Sequence, residues 1–306
     1  MFKIPQLPVC MICMFIILNG CNSNKKNDKD SQNLEKFGQE LIELKEYFKI
    51  PGMAVLVKKD GQIIYEEYLG KSDIKNTVPV DASTVFPIAS LTKVFTGIAM
   101  MKHVEEGKLS LDEPLSKYFP DLQFDDSINL AHVLSHTSQG RPGENFYYST
   151  RFGILTKVIE KASSISFKQY IEEKIINKLS LKHTFLLQDS TQLKGIKIAK
   201  PYLLEEGIQD GFIDYGFSAA AGIVSTARDL SKLDSALDNN TLISKASKNK
   251  MFTSFKPDLP YGYGIFSQDF ENKKFIWTYG QYDCYSSLYL KIPEDNLTLI
   301  YWPIII

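Results

Sequence analysis

The sequence is poor in cysteine and histidine and has almost no excess of charge of either sign. Of its four cysteines, Cys10, Cys13 and Cys21 lie in or directly after an N-terminal apolar segment, which leaves Cys284 for the folded part of the chain. One thiol can form neither a disulfide framework nor a cysteine-based metal cluster. A formal net charge of -1 over 306 residues, with no basic stripe, provides no electrostatic footprint for nucleic acid.

The four histidines offer one spacing that is compatible with metal binding. His132 and His136 stand four residues apart in "AHVLSH", as zinc ligands on a helix do, but the glutamate of a His-Glu-x-x-His motif is absent. The other two imidazoles, His103 and His183, do not cluster with them in the sequence. We therefore predict no metal site and no cofactor.

The composition is that of a globular protein. Hydrophobic residues make up 44% of the chain and aromatic residues 12%, and no internal repeat is visible. A chain of this length is long enough for one large domain or for two lobes that share a cleft.

Residues 1–20 are typical of a targeting segment. Lys3 provides its positive end, and the apolar run at 7–18 is too short to span a bilayer as a mature helix. The run ends at "LNGC", which is similar to the cleavage box of a bacterial lipoprotein signal. That similarity predicts a lipid on Cys21 and an exported protein anchored to a membrane of the cell envelope. An ordinary signal peptide or an uncleaved anchor is the alternative.

The segment after Cys21 is polar, charged and free of aromatic residues up to position 33. Such a composition is typical of a flexible tether, because it cannot bury enough apolar surface to fold. We therefore divide the chain into a signal peptide at 1–20, a tether at 21–33 and a folded domain at 34–303.

The folded domain begins and ends with strand-like runs and is helical between them. After a helical pattern at 34–49, two strand-like runs are joined by Asp60-Gly61, a hairpin signal. Four more strand-like runs follow the middle region, between 261 and 302. This order predicts an α/β (α+β) fold, with an antiparallel sheet built from both chain ends and flanked by helices. An all-helical domain is inserted at about 110–210, and a cleft between the two parts is the expected binding site.

Serine and lysine occur three residues apart at four places, so this spacing alone has little meaning. The pairs are Ser23/Lys26, Ser72/Lys75, Ser90/Lys93 and Ser247/Lys250. Only Ser90 opens an apolar helix, where Lys93 lies on the same helical face and the free N–H groups could stabilise an oxyanion. Desolvation in such a place lowers a lysine pKa from about 10.4 toward neutrality, as a base requires. A helix-capping Ser90 with a surface Lys93 is an equally good interpretation of the position.

Five segments in order decide between these interpretations. They are "FPIASLTKVFTGIAMMKHVEEGKLSLDEPLSKYFP", "VLSHTS", "PGENFYYSTRFGIL", "AAAGIVSTARDL" and "YGYGIF". Together they resemble the serine β-lactamase and penicillin-recognising family, with class C β-lactamases, D-Ala-D-Ala carboxypeptidases and esterases as the nearest branch. The resemblance covers residues 40–303 and implies a β-lactamase/transpeptidase-like fold.

The resemblance also implies roles for individual residues. Ser90 would be the acylated nucleophile and Lys93 its amine partner. Tyr148 falls on the tyrosine of the family's Tyr-x-Asn motif, where it would pass protons to the leaving group and activate the deacylating water. A packed aromatic with a satisfied hydroxyl is the alternative for Tyr148. Within the "HTS" segment, His136 would be structural.

Two positions depart from the family pattern at the expected substrate site. Thr150 stands where the family has the asparagine of Tyr-x-Asn, and Thr278 stands where a lysine or histidine begins the third motif. We therefore expect a weaker contact to a substrate amide and no cation for a substrate carboxylate. Gly280 would still admit a substrate backbone. The N–H of Gln281 would complete an oxyanion hole with that of Ser90.

The expected function is that of a serine hydrolase acting through an acyl-enzyme. Its substrate would be a small-molecule or peptide acyl donor: a β-lactam, a D-Ala-D-Ala peptide or a small ester. The alternative is a binding or sensing module that has kept the fold and lost turnover, as the two threonines suggest. Family members also follow the last strand with a helix, whereas this chain stops at "YWPIII". An uncovered sheet face would follow, which predicts a partner or self-association there.

Overall fold

A computed structural model describes residues 26–204 and 208–305. The predicted signal peptide and Cys21 lie outside the described residues. No helix within the described ranges is long and apolar enough to span a membrane.

The elements follow the predicted order of strands, helices and strands. The α-helices are α1 (Lys26–Tyr47), α2 (Thr92–Glu105), α3 (Leu130–Leu134), α4 (Leu155–Ser163), α5 (Phe167–Ile171), α6 (Ala227–Asp238) and α7 (Lys245–Met251). Short 3-10 helices lie at Ala89–Leu91, Leu115–Tyr118, Thr150–Ile154, Ser190–Leu193 and Pro293–Asp295, and a π-helical turn lies at Glu172–Ile176. The strands are β1 (Gly52–Lys59), β2 (Gln62–Asp73), β3 (Val78–Pro79), β4 (Phe86–Pro87), β5 (Phe185–Leu186), β6 (Tyr202–Leu204), β7 (Ile208–Asp210), β8 (Ile223–Ser225), β9 (Phe266–Phe270), β10 (Lys273–Tyr282), β11 (Tyr285–Ile292) and β12 (Leu297–Pro303).

The main sheet joins the two ends of the chain, as predicted. Its seven strands are ordered β3-β2-β1-β12-β11-β10-β9, and each neighbouring pair is antiparallel. The pairing of β1 with β12, for example Val55 with Tyr301, closes the sheet across the whole sequence. The hairpin between β1 and β2 turns at Asp60 and Gly61, whose φ angles of 50° and 77° suit a two-residue turn. The predicted fold class is confirmed.

One face of the sheet is covered by the N-terminal helix. Phe37 and Leu41 of α1 belong to the same buried cluster as Val55, Leu299 and Tyr301 of the sheet. The expectation of an uncovered sheet face is therefore wrong, because an element at the other end of the chain supplies the cover. Self-association stays a prediction, but this face does not require it.

Helix α1 also extends into the predicted tether. It begins at Lys26, so residues 26–33 are helical in the structure and the expected flexible segment is shorter than predicted. The apolar pattern that revealed the helix begins only at Leu34. The spacing of apolar residues could not reveal the polar helical turns before Leu34, because that spacing reflects burial rather than backbone conformation.

The opposite face of the sheet packs on helices and carries a buried charge cluster. Asp234 of α6 is buried, and it pairs with Lys58 of β1 at 2.5 Å and Lys291 of β11 at 2.9 Å. The two ammonium groups hold the pKa of Asp234 below its usual value although burial opposes them. Because both lysines belong to strands, this cluster fixes α6 on the sheet.

The insert at 110–210 is not entirely helical, which corrects the prediction. It contains α3, α4 and α5, but its β5 strand pairs with β8, which in turn pairs with β4. Strands of two or three residues give no period-two signal in a sequence. The small three-stranded sheet matters for the site, because β4 leads directly to Ser90.

Candidate active site

Ser90 lies on a sharp turn between β4 and α2. The 3-10 turn Ala89–Leu91 runs into α2, and Ala89 has a φ of 46°, in the left-handed region that a non-glycine residue rarely adopts. Neighbouring strands hold the turn: Ile88 N–H donates to Ile223 O at 3.0 Å, and Ser287 Oγ donates to Ile88 O at 2.9 Å. Strain of this kind persists only where the surroundings impose it, and it often marks functional sites.

Lys93 reaches the Ser90 hydroxyl from inside the protein. Its Nζ lies 2.8 Å from Ser90 Oγ and 3.0 Å from Ala220 O, and the residue is 3% exposed. Burial lowers the pKa of Lys93 to about 7. Among the described residues no carboxylate pairs with this amine, so nothing offsets the desolvation. About half of the amine is then neutral at pH 7 and able to accept a proton.

The same face of α2 fixes the segment that carries Ala220. Thr96 Oγ1 donates to Ala219 O at 2.8 Å, and Ile223 N–H donates to Thr92 Oγ1 at 3.2 Å. These contacts make Ala220 O a fixed acceptor on the far side of Lys93. The amine is therefore held at two points, one of which is the serine.

Tyr148 lies on the cleft side of the pair. Its hydroxyl shares a hydrogen bond with Ser90, and its ring centroid is 4.9 Å from Lys93 Nζ. Tyr148 keeps 37% of its surface exposed, yet the loss of solvent around its hydroxyl raises its pKa to about 12, and the hydrogen bond from Ser90 only partly opposes this. The phenol is thus protonated near neutral pH. In the resting site the Lys93 amine can therefore accept a proton, whereas the Tyr148 hydroxyl can donate or relay one.

His136 positions Tyr148. The two rings stack with centroids 4.3 Å apart, and His136 Nδ1 accepts from Ser149 N–H at 3.1 Å. Burial, with a smaller contribution from Lys93, lowers the pKa of His136 to about 3, so the imidazole is neutral. His132 caps α3 instead, since its Nδ1 accepts from Asn129 N–H at 3.2 Å. The two histidines that stand four residues apart thus make separate hydrogen bonds with the backbone.

The structure does not bring Thr150 or Thr278 to the cleft. Thr150 is exposed at the start of a 3-10 helix, and Thr278 is 1% exposed within the sheet. Side chains alternate along β10, so Tyr279 and Gln281 face the opposite way from Thr278 and line the cleft. Gln281 lines the cleft. The substrate contacts of Thr150, Thr278 and Gln281 stay predictions.

Gly280 packs against the nucleophile turn. A Cβ at this position would lie 2.1 Å from Ile88 O and 2.6 Å from Ser287 Oγ, both far inside normal contact. Gly280 therefore allows β10 to approach the segment before Ser90 closely. Its role toward a substrate backbone, and the oxyanion hole formed by the N–H groups of Ser90 and Gln281, stay predictions.

We expect Gly280→Ala to destabilise the protein by about 1–3 kcal/mol, the usual cost of overpacking a tight contact. Acylation of Ser90 should fall about tenfold or more, because β10 and the Ile88 turn must move apart. Denaturant unfolding and the second-order acylation rate measure the two effects. Gly153→Ala is the control, since a Cβ there meets nothing closer than 3.5 Å. Equal behaviour of both variants would contradict the packing role of Gly280.

The cleft beside Ser90 is open and has a volume of about 400 Å³. It is lined by Ser90, Tyr148, Asp214, Tyr279, Gln281, Tyr282 and Asp283. Sequence reasoning missed four of these: Asp214, Tyr279, Tyr282 and Asp283. Strand alternation beside Thr278 could have revealed Tyr279. The two aspartates lie outside the strands and helices and belong to no motif that the sequence displays.

Comparison with known proteins shows the family of the chain. The family model described as Beta-lactamase matches residues 42–302. The chain belongs to the beta-lactamase family. A similar curated relative is Protein flp of Staphylococcus aureus (strain MW2), 25% identical, with the alignment covering 82% of this chain and 59% of the relative. This chain therefore spans about three fifths of the length of the first curated relatives that it matches.

Solved structures share the fold of this chain. The octameric penicillin-binding protein homologue from Pyrococcus abyssi superposes with a TM-score of 0.82 at 26% identity, covering 90% of this chain and 73% of the other. The D-amino acid amidase from Ochrobactrum anthropi SV3, complexed with D-phenylalanine, gives a TM-score of 0.78 at 19% identity, with coverages of 89% and 91%. At that identity the amidase supports the fold alone.

Proposed function

We propose that this member of the beta-lactamase family is a serine hydrolase that forms an acyl-enzyme on Ser90. One observation carries the proposal: a buried lysine amine with a pKa lowered to about 7 lies 2.8 Å from the serine hydroxyl. A nucleophilic serine needs a neighbouring base that is neutral at working pH, and burial without a carboxylate partner provides one. Membership of the beta-lactamase family supports a hydrolase in general.

The contacts suggest how the proton moves. Ser90 Oγ attacks the acyl carbon while Lys93 Nζ takes the hydroxyl proton. The bond to the leaving oxygen or nitrogen then breaks, and the leaving group takes that proton through Tyr148, whose hydroxyl contacts Ser90. Water next attacks the ester on Ser90 and gives a proton to Lys93, which returns it to Ser90 as the acid leaves. No step requires a cofactor.

The acyl donor is an ester or an amide, and β-lactams, D-Ala-D-Ala peptides and small esters are the candidates. Thr278 is buried, and no lysine or arginine lines the cleft among the described residues. A substrate carboxylate would lack the charge-assisted hydrogen bond that is worth about 1.5–3 kcal/mol. Neutral esters should therefore be acylating substrates, and penicillins poorer ones.

Treatment of the native protein with a fluorophosphonate probe tests the proposal. Intact-protein mass spectrometry should show one covalent adduct, and small neutral esters should turn over faster than penicillins. A binding or sensing module is the second candidate, favoured by the positions of Thr150 and Thr278 outside the cleft. A folded protein that takes no label and turns over no ester would support that module instead.

We further propose that the protein is an exported lipoprotein of the cell envelope, anchored through Cys21. The support is the "LNGC" box after an apolar run, followed by polar residues. Two or more acyl chains on the cysteine would give a stable anchor. The mass of the N-terminal peptide from membrane-extracted protein tests this. An unmodified Cys21, or a chain that still carries residues 1–20, would contradict it.

A further inference from the structure

The charge of the cleft is opposite to what a carboxylate-bearing substrate requires. Its lining includes two carboxylates, Asp214 and Asp283, and no cationic side chain among the residues that the structure describes. Both aspartates are exposed, and neither has a hydrogen bond or an ion pair with another described side chain. Two unpaired negative charges beside a nucleophile repel an anionic substrate and attract a cationic one.

The two carboxylates come from segments that are packed together. Asp283 lies in the turn between β10 and β11, directly before Cys284. Asp214 lies in the loop between β7 and β8, which is held by hydrogen bonds from Gly211 N–H to Pro201 O and from Gly216 N–H to Leu187 O. A Cβ on Gly211 would lie 2.7 Å from Cys284 Sγ, so this loop rests on the turn that carries Asp283.

Both carboxylates affect the pKa values of neighbouring groups. Burial, with Asp283 next and a smaller contribution from Asp214, raises the pKa of the Cys284 thiol. Burial raises the pKa of Tyr282 to about 12, and Asp214 adds to that rise. The two carboxylates therefore act on the same end of the cleft.

Aromatic side chains line the same cleft. Tyr148, Tyr279 and Tyr282 line the cleft with the two aspartates, and the rings of Tyr148 and Tyr279 are nearly parallel with centroids 6.5 Å apart. The faces of aromatic rings attract organic cations, and the attraction adds to that of a carboxylate. A positive group on a bound substrate would thus meet negative charge beside aromatic side chains, whereas the residues that line the cleft offer a carboxylate no Lys or Arg side chain.

We propose that Asp214 and Asp283 form a subsite for a positively charged group, so that the preferred acyl donor is an ester or amide that carries an organic cation. The inference rests on the proposed function, because the same cleft and the same Ser90 are used. It adds a substrate class to that function.

A matched set of 4-nitrophenyl esters tests the subsite. The 4-(trimethylammonio)butanoyl ester and the 5,5-dimethylhexanoyl ester have the same shape and differ in charge, and the adipate monoester carries a carboxylate. For the native protein we expect kcat/KM to favour the cationic ester over its neutral isostere by about tenfold or more, and the carboxylate ester to be poorest. Added salt should reduce this preference, since the cleft is open to solvent.

Variants assign the preference to the two aspartates. The double variant Asp214→Asn/Asp283→Asn should bring the ratio of cationic to neutral ester close to one. Asp258→Asn is the control, because Asp258 is exposed and does not line the cleft. It should keep the native ratio. A native ratio near or below one, or a ratio that the double variant leaves intact, would overturn the subsite.

A binding measurement separates failure of the subsite from failure of the proposed function. Ser90→Ala protein should bind the trimethylammonium ester more tightly than the neutral isostere by the same factor, and the double aspartate exchange in that background should remove the difference. Ser90-dependent hydrolysis without charge preference would sink the subsite alone. Absence of any Ser90-dependent hydrolysis would sink the proposed function, and the binding ratio would then decide the subsite.

Discussion

Ser90→Ala is expected to abolish both covalent labelling by a fluorophosphonate and ester hydrolysis, with the fold retained. The hydroxyl is the only part of the residue that the exchange removes. Its partners in the structure are the Lys93 amine and the Tyr148 hydroxyl, and neither packs the core through it. Intact-protein mass spectrometry measures the label, and circular dichroism checks the fold.

Two other serines of the same spacing provide matched controls. Ser72 is buried and its hydroxyl donates to the backbone oxygens of Val78 and Pro79, while Ser247 lies in α7 with its hydroxyl near Glu105. Ser72→Ala and Ser247→Ala should therefore keep full labelling. A label that persists on Ser90→Ala, or one that disappears with either control, would remove Ser90 as the nucleophile.

Much of the sheet could be predicted because its strands carry strong local signals. The β1–β2 hairpin has its turn residues at Asp60 and Gly61, and the strands after 261 are long and apolar. The apolar run "YGYGIF" is an exception: β9 begins only at Phe266, after a loop. Glycines at 262 and 264 allow that loop to pass close to Met251 and Lys93, a tertiary demand that local patterns do not reveal.

The contact between Ser90 and a buried Lys93 could also be predicted, for a physical reason. Ser90 and Lys93 are close in sequence, and the all-round apolar character of α2 reports the burial that lowers the lysine pKa. The rest of the cleft could not. Asp214 and Asp283 are far apart in sequence and line one cleft because the β7–β8 loop packs on the turn between β10 and β11.

Thr278 stands at the position of the family cation, and its side chain is buried. Alignment placed it at the position of a family cation, and its side chain was expected to face substrate. In the structure it is buried on the face of β10 that looks toward the nucleophile turn, and Tyr279 takes the cleft side. Charge in this cleft therefore depends on residues outside the strand.

Burial of Lys93 lowers the stability of the folded protein at neutral pH, although the proposed reaction needs the buried amine as its base. The pKa of the amine is lowered from 10.5 to about 7 by burial, so the folded state disfavours the ammonium form. For a lysine with a lowered pKa, the free energy of unfolding decreases as pH falls through 10.5 and continues to decrease until about 7. Each pKa unit is worth about 1.4 kcal/mol, so the cost at neutral pH is on the order of a few kcal/mol.

Lys93→Met should accordingly lower activity and raise stability at the same time. The methionine is similar in length and carries no charge, so it removes the base without opening a large cavity. Acylation of Ser90 should fall by at least about a hundredfold, the usual loss for a positioned proton carrier. At pH 7 the variant should unfold at a higher denaturant concentration than the native protein. The gain in the free energy of unfolding should be at most a few kcal/mol, because Ser90 Oγ and Ala220 O lose their hydrogen-bond partner.

The pH dependence separates a base from a merely structural lysine. Neutral Lys93 predominates above a pKa of about 7, so the native acylation rate should rise with pH through about 7 and then level off. In Lys93→Met that inflection should disappear and the residual rate should be flat between about pH 6 and 8. Second-order acylation with a neutral ester, measured across this range for both proteins, supplies the comparison. An unchanged inflection in the variant would assign the titration to another group, and an unchanged rate would make Lys93 a packing residue, since a base that is absent can neither titrate nor take the serine proton.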